Sequence, residues 1–296
     1  MRVGFIGVGN MGGPMCRNII KNTNHEVIVF DLDPKAIEAC VGATSATSVA
    51  EVAAGSDVIF TSLSLPAIVE TVILGPGGIA ENARPGRTVI DLSTNGPETA
   101  RKLHSGLLAR GVFMLEAPVS GGVPRATDGT ITIMVGGDPT LFEAQRPLLS
   151  SFSASVIHVG DVGMGSVAKL INNMLAFCNM AAAAEGLMIG AAVGIDLHRL
   201  QQVVASSSGA SSAFTNLSAK AFAGAFAPGF ALDLAYKDLG LAQHLATQLG
   251  VPSPIGAQTE NLLRIARAMG LGSSDTAAMI QVYERILNRE ARAKPL

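Results

Sequence analysis

Three clusters in this 296-residue chain carry residue types and spacings that could do chemistry. The first is Gly7-Val8-Gly9-Asn10-Met11-Gly12, a G-x-G-x-x-G that directly follows a strand-like run and opens a helical one. In that setting the first glycine permits a tight turn, the second lets the backbone approach a pyrophosphate, and the third allows close packing of helix on strand. N–H groups at the helix start then face the anion. Asp31 ends the next strand-like run, 19 residues after Gly12, where a carboxylate can accept from an adenosine ribose. A simple turn acid would also sit there. A 2′-phosphate at that point would meet like charge costing about 1–4 kcal/mol at about 4 Å, and Leu32 offers no compensating arginine. NAD is therefore expected over NADP.

The second cluster is Ala117-Pro118-Val119-Ser120-Gly121-Gly122, at the carboxyl end of a strand-like run closing on Glu116. Doubly wound sheets bind ligands on that side. Successive N–H groups of Ser120, Gly121 and Gly122, with the serine hydroxyl, could cradle a carboxylate; the spacing fits an ordinary glycine turn equally well. In the third cluster, Gly165 to Asn173, Lys169 and Asn173 are four apart and share a helix face. Val167, Ala168, Leu170 and Ile171 surround the lysine in sequence, and desolvation there would favour the neutral amine, a usable proton acceptor. A lysine at a helix start can also be a solvated end. The histidines at 25, 104, 158, 198 and 244 form no cluster, and no HExxH or carboxylate–histidine spacing points to a metal.

The elements that must position these clusters follow from periodicity. Short, continuously apolar runs at 2–8, 26–30, 58–62, 88–92 and 112–116 read as buried strands, with later strands at 131–135 and 155–159. Helical stretches at 11–22, 34–40, 48–54, 66–74, 97–110 and 139–150 alternate with them. Such alternation predicts an α/β fold: a doubly wound, mainly parallel sheet of Rossmann type. After Val159 the pattern changes. Gly160, Gly163 and Gly165 read as a flexible joint, and from Ser166 to Arg292 the spacing is helical throughout. Two domains are expected: 1–162, dinucleotide-binding, and 163–296, all-helical. Residues 174–195 contain only Asn179 and Glu185 as polar groups, enough apolar length for a membrane span, but the alanines and Glu185 favour a helix buried all round in a soluble core.

Composition bounds the partners. With 21 basic and 23 acidic residues the net charge is −2, so nucleic acid is not expected. Charged residues are 15% of the chain, against roughly 25% in an average domain, which predicts surface buried in a homodimer or homotetramer. Three scattered cysteines, Cys16, Cys40 and Cys178, make neither a disulfide framework nor a zinc knuckle, and no leader precedes the first strand, so a cytoplasmic location is expected. The basic ending Arg285, Arg289, Arg292 and Lys294 reads as a solvated helix end.

Taken together, Gly4 to Gly12, Asp91-Leu92-Ser93-Thr94, Ala117 to Gly122, Met134-Val135-Gly136-Gly137, Gly165 to Asn173 and Lys237-Asp238-Leu239-Gly240-Leu241 resemble the β-hydroxyacid dehydrogenase family, most closely its 3-hydroxyisobutyrate dehydrogenases. The resemblance runs through essentially the whole chain. It implies that Lys169 is the catalytic acid/base and that Ser120, Gly121, Gly122 and Asn173 hold the substrate. It further implies that Thr94 and Lys237 contact the cofactor region, that the backbone around Leu63 and Ser64 lies beside the nucleotide, and that Phe230 brings an aromatic wall to the pocket. The implied reaction is NAD-dependent oxidation of a small 3-hydroxy acid lying between the domains, 3-hydroxyisobutyrate to methylmalonate semialdehyde, within branched-chain amino acid catabolism. Reduction of tartronate semialdehyde or another short semialdehyde is the alternative in the same family, and a non-catalytic dinucleotide-binding protein the alternative outside it. Two departures stand out: Glu116 where aspartate is usual, and Ser64 where proline commonly follows the leucine.

Overall fold

Continuous runs of Val, Ile and Phe cannot leave one face in water, so the strands of the first half form the middle of a layered unit. The computed structural model describes residues 1–293. Its sheet holds nine strands among those residues: β1 (Arg2–Ile6), β2 (Glu26–Phe30), β3 (Thr44–Ser45), β4 (Val58–Thr61), β5 (Thr88–Asp91), β6 (Phe113–Glu116), β7 (Val119–Ser120), β8 (Ile131–Gly136) and β9 (Ser153–Gly160). Their order is β3-β2-β1-β4-β5-β6-β8-β7, with β9 also paired to β8. Strands β1 to β6 are parallel throughout, whereas β8 runs antiparallel to β6 and β7. The fold is the expected doubly wound Rossmann type followed by helices.

Helices cover both faces of the sheet. One apolar layer gathers Phe5, Met15, Ile19, Phe60, Ile133 and Phe152; the other gathers Ile6, Ile59, Ile73, Val89, Leu103 and Met114. Strand order reverses beside β1, which has β2 on one side and β4 on the other. Such a switch point opens a crevice at the carboxyl ends of its strands.

The chain divides into two compact units that meet in sequence at Lys169 and Leu170, seven residues beyond the expected boundary at 162/163. The boundary falls inside a 30-residue helix, Met164–Val193, because its first turn belongs to the sheet unit. The glycines expected to form a flexible joint are correspondingly held: Gly163 and Gly165 donate their N–H groups to Glu116.

In the second unit Phe177, Leu232, Leu239, Leu263 and Met279 make one apolar core, and Ala184, Leu187, Leu217 and Ile280 make another. Asp196 and Ser211 cap the helices Leu197–Ala205 and Ser212–Ala223 through their side-chain oxygens. The long helix meets the length and composition of a membrane span, yet it is not buried all round as expected: one side packs in these cores while Ile171, Leu175, Ile189 and Val193 are exposed. Of the basic ending, Arg285 and Arg289 are exposed, as expected of a solvated end, and Arg292 is partly buried. Arg289 donates to the carbonyls of Ala191 and Ala192 near the carboxyl end of the long helix, a favourable place for a cation, and Arg292 pairs with Glu284; Lys294 lies outside the described residues.

Candidate active site

At the end of β1 the three glycines play different parts. Gly7 has φ 87°, a conformation that disfavours any side chain, and a Cβ there would drive into the Ser62 carbonyl after β4. A Cβ on Gly12 would strike the Gly7 carbonyl and come within 3.0 Å of the Phe5 ring. A Cβ on Gly9 would meet nothing within 4 Å. Gly7 and Gly12 thus serve the turn and the helix packing, and Gly9, exposed like Asn10, leaves an open approach to the backbone. The helix Gly12–Asn22 that follows has no acidic residue in its first turn and no side-chain cap at Met11, so no side chain of its own first turn offsets its positive end. These features fit a dinucleotide pyrophosphate.

Asp31 sits where the sequence placed it. Its carboxylate accepts from the N–H of Val8 inside the glycine turn at 2.8 Å and from the N–H of Asp33 at 2.9 Å, which locks it beside that turn. Leu32 points out, 90% exposed. Next to β1, the loop after β4 carries Leu63 and Ser64; the Leu63 N–H donates to Ser93 Oγ at 3.0 Å. Asp91, wholly buried, gathers this region: its carboxylate accepts from Thr61 Oγ1 and Asn95 Nδ2, each at 2.7 Å, and from the Ser93 N–H at 3.1 Å. Burial pushes the Asp91 carboxyl above its usual range, while those donors pull the other way. Thr94 is held between Ser93 and Asn95, at the carboxyl end of β5.

The Ala117 to Gly122 segment is more ordered than a loop. Val119 and Ser120 form β7, paired with Ile133 and Thr132, and Gly122 opens the short helix Gly122–Thr127. Gly121 at φ 141° and Gly122 at φ 69° have conformations that other residues avoid. Just upstream, Glu116 reaches the start of the long helix, where its carboxylate accepts from the N–H groups of Gly163, Gly165 and Ser166 and from Ser166 Oγ. Lys169 lies one turn further and is 8% exposed, which removes the reading of it as a solvated helix end.

In the second unit Asn173 and Lys237 meet through a residue whose role the sequence did not disclose. Asp238, 1% exposed, accepts from Asn173 Nδ2 at 2.6 Å and lies 2.9 Å from Lys237 Nζ. Asn172 donates in turn to Asn173 Oδ1 at 3.1 Å, so the Asn173 amide has a fixed orientation. Phe230 stacks on Phe177 with ring centroids 6.1 Å apart, and the N–H groups of Gly229 and Phe230 donate to Asp275.

Two of the scattered cysteines are brought together: hydrogen bonding between Cys16 and Cys40 pushes the Cys16 thiol up, as burial does, and pulls that of Cys40 down. Among the described residues no three His, Cys, Asp or Glu side chains form a metal-holding group.

Residues 2–160 match the model for the NAD binding domain of 6-phosphogluconate dehydrogenase, and residues 163–283 match that for the NAD-binding domain of NADP-dependent 3-hydroxyisobutyrate dehydrogenase. The chain is 41% identical over 289 residues to a 2-(hydroxymethyl)glutarate dehydrogenase of Eubacterium barkeri, covering 97% of this chain and 96% of that one. It is 40% identical over 273 residues to a 3-hydroxyisobutyrate dehydrogenase of Pseudomonas aeruginosa, covering 89% and 91%. Among solved structures, a 3-hydroxyisobutyrate dehydrogenase of Salmonella typhimurium superposes with a TM-score of 0.88 at 32% identity, covering 95% of this chain and 99% of that one.

Proposed function

The chain belongs to the β-hydroxyacid dehydrogenase family, and on that premise we propose that it oxidises a primary alcohol β to a carboxylate, with NAD as acceptor and Lys169 as the acid/base. 3-Hydroxyisobutyrate and 2-(hydroxymethyl)glutarate share one skeleton, HOCH2–CHR–COO⁻, and differ only in R. That shared skeleton is the substrate class proposed here. 3-Hydroxyisobutyrate, giving methylmalonate semialdehyde, is its simplest case, and a semialdehyde such as tartronate semialdehyde is the corresponding substrate in reduction.

When bound, the nicotinamide supplies the hydride acceptor. The protein's part is to bind, orient and move a proton. Neutral Lys169 takes the hydroxyl proton on its Nζ as the carbinol C–H leaves as hydride, and in reduction the ammonium returns it to the carbonyl oxygen. Ser120, Gly121 and Gly122 hold the carboxylate, with Asn173 as a further ligand oriented by Asp238. Gly7, Gly9, Asn10, Met11 and Gly12 take the pyrophosphate, Asp31 the adenosine ribose, and Leu63, Ser64, Thr94 and Lys237 the remainder of the cofactor. The observation that carries this reading is the burial of Lys169 in the same unit as the glycine turn.

The carboxylate of Asp31, held against Val8, favours a ribose hydroxyl over a phosphate and so supports NAD. A homodimer or homotetramer would cover the exposed Ile171, Leu175, Ile189 and Val193, which light scattering tests. The test of function is a panel of 3-hydroxyisobutyrate, 2-(hydroxymethyl)glutarate, L-serine and glycerate with NAD or NADP, followed at the reduced nicotinamide. Turnover of at least one HOCH2–CHR–COO⁻ compound with NAD is expected. Cofactor binding without turnover of any would favour the non-catalytic alternative.

A further inference from the structure

Glu116 does more than stand in for an aspartate. It closes β6, directly before the Ala117 to Gly122 segment, and is 2% exposed, with all the polar contacts of its side chain directed at one place. Oε1 accepts from the N–H groups of Gly163 and, at 2.9 Å, Gly165; Oε2 accepts from the N–H of Ser166 at 3.2 Å and from its hydroxyl. These are the amides that a helix start leaves without intrahelical partners, and the carboxylate also meets the positive end of the helix. The helix so held, Met164–Val193, carries Lys169 three residues after Ser166.

Space for this carboxylate is made by glycines. A Cβ on Gly136, the β8 residue paired with Glu116, would collide with Oε1. A Cβ on Gly165 would lie 3.3 Å from the Glu116 carboxyl carbon, 2.7 Å from the Met134 carbonyl and 3.0 Å from the Gly136 nitrogen. The strand end, the helix start and the adjacent strand therefore close around one carboxylate.

We propose that Glu116 is a positioning residue for proton transfer: by clamping the first turn of the helix, it fixes Lys169 relative to the Ser120 to Gly122 segment. This rests on the reading of Lys169 as the acid/base. All of these residues lie in the unit that ends at Lys169, so the clamp acts within one folded body. Proton transfer is steep in distance, and a misplacement of about 1 Å costs about 100-fold in rate. A cap that served stability alone would lower the melting temperature without changing the chemical step.

The test uses the full chain and Glu116→Gln, which keeps the shape but turns an amide N–H2 toward N–H donors, with Ser166→Ala, which removes one donor, and Lys169→Ala alongside. For each, kcat, the deuterium isotope effect on hydride transfer and the NAD Kd are measured with the panel compound the parent turns over fastest, and amide hydrogen exchange is followed at residues 163–169. Glu116→Gln is expected to lose about 10- to 100-fold in kcat with NAD affinity held within about twofold and the isotope effect raised. Faster exchange at 163–169 is expected with it, and about threefold loss of kcat in Ser166→Ala.

Parental kcat and isotope effect in folded Glu116→Gln overturn the proposal, as does unchanged exchange, an arm that needs no substrate. If Glu116→Gln does not fold, Ser166→Ala decides by the same criteria. Should Lys169→Ala keep its turnover, the underlying functional reading fails; should Lys169→Ala be inactive and Glu116→Gln parental, only the clamp fails.

Discussion

Two alanine substitutions in one turn should have opposite consequences. In Gly12→Ala the new methyl group meets the Gly7 carbonyl and, at 3.0 Å, the Phe5 ring, with backbone on one side that cannot swing away. Overpacking of this kind costs about 1–3 kcal/mol, and for a chain of this size each kcal/mol lowers Tm by about 2–4 °C. Gly12→Ala should therefore melt roughly 2–12 °C below the parent without any ligand present. In Gly9→Ala the methyl group meets no protein atom within 4 Å, so the melting temperature should stay within about 1 °C. The same methyl group stands where a pyrophosphate must approach the backbone. Losing one hydrogen bond to a charged group costs about 1.5–3 kcal/mol, or roughly 10- to 150-fold in Kd. Differential scanning fluorimetry without ligand and calorimetric titration with NAD separate the two. A Gly9→Ala protein that binds NAD with parental affinity would refute the placement of the pyrophosphate.

Asp31→Asn keeps an oxygen for the Val8 N–H but removes the charge, so the ratio of NADP to NAD kcat/KM should rise about tenfold or more; an unchanged ratio would mean that Asp31 does not face the 2′ position. Burial, helped by the hydrogen bond to Glu185, pushes the Tyr283 phenol up to about 12. A raised folded-state value contributes stability that is complete below the unfolded value of about 10 and lost as pH rises through the folded one. Tyrosinate absorbance should show this late step in the parent, and Glu185→Gln should move it toward lower pH; a midpoint that stays put would contradict the contact.

What could be read from the chain differed with sequence distance. Strands β1, β2, β4, β5 and β6 were legible because each is a short apolar run between turn residues, and the glycine turn with Asp31 because its parts lie within about two dozen residues. The strands Thr44–Ser45 and Val119–Ser120 and the helices Ile79–Asn82 and Gly122–Thr127 were missed, since pieces of two to six residues show no period. Glu116 was visible as a departure but not as a clamp, because its partners lie 47 to 50 residues away. Asp238 was quoted within a motif, yet its bond to Asn173 spans 65 residues and depends on two helices meeting. The side of the long helix that stays exposed was likewise hidden, because Ala and Gly blur the apolar stripe that would mark its buried face.

The central claim is that the Lys169 amine moves the proton that accompanies hydride transfer. Single-turnover formation of reduced nicotinamide, with the parent and Lys169→Ala both saturated with NAD, tests it directly. The variant should bind NAD within about twofold of the parent and transfer hydride about 100- to 10,000-fold more slowly. A near-parental transfer rate in Lys169→Ala would contradict the account.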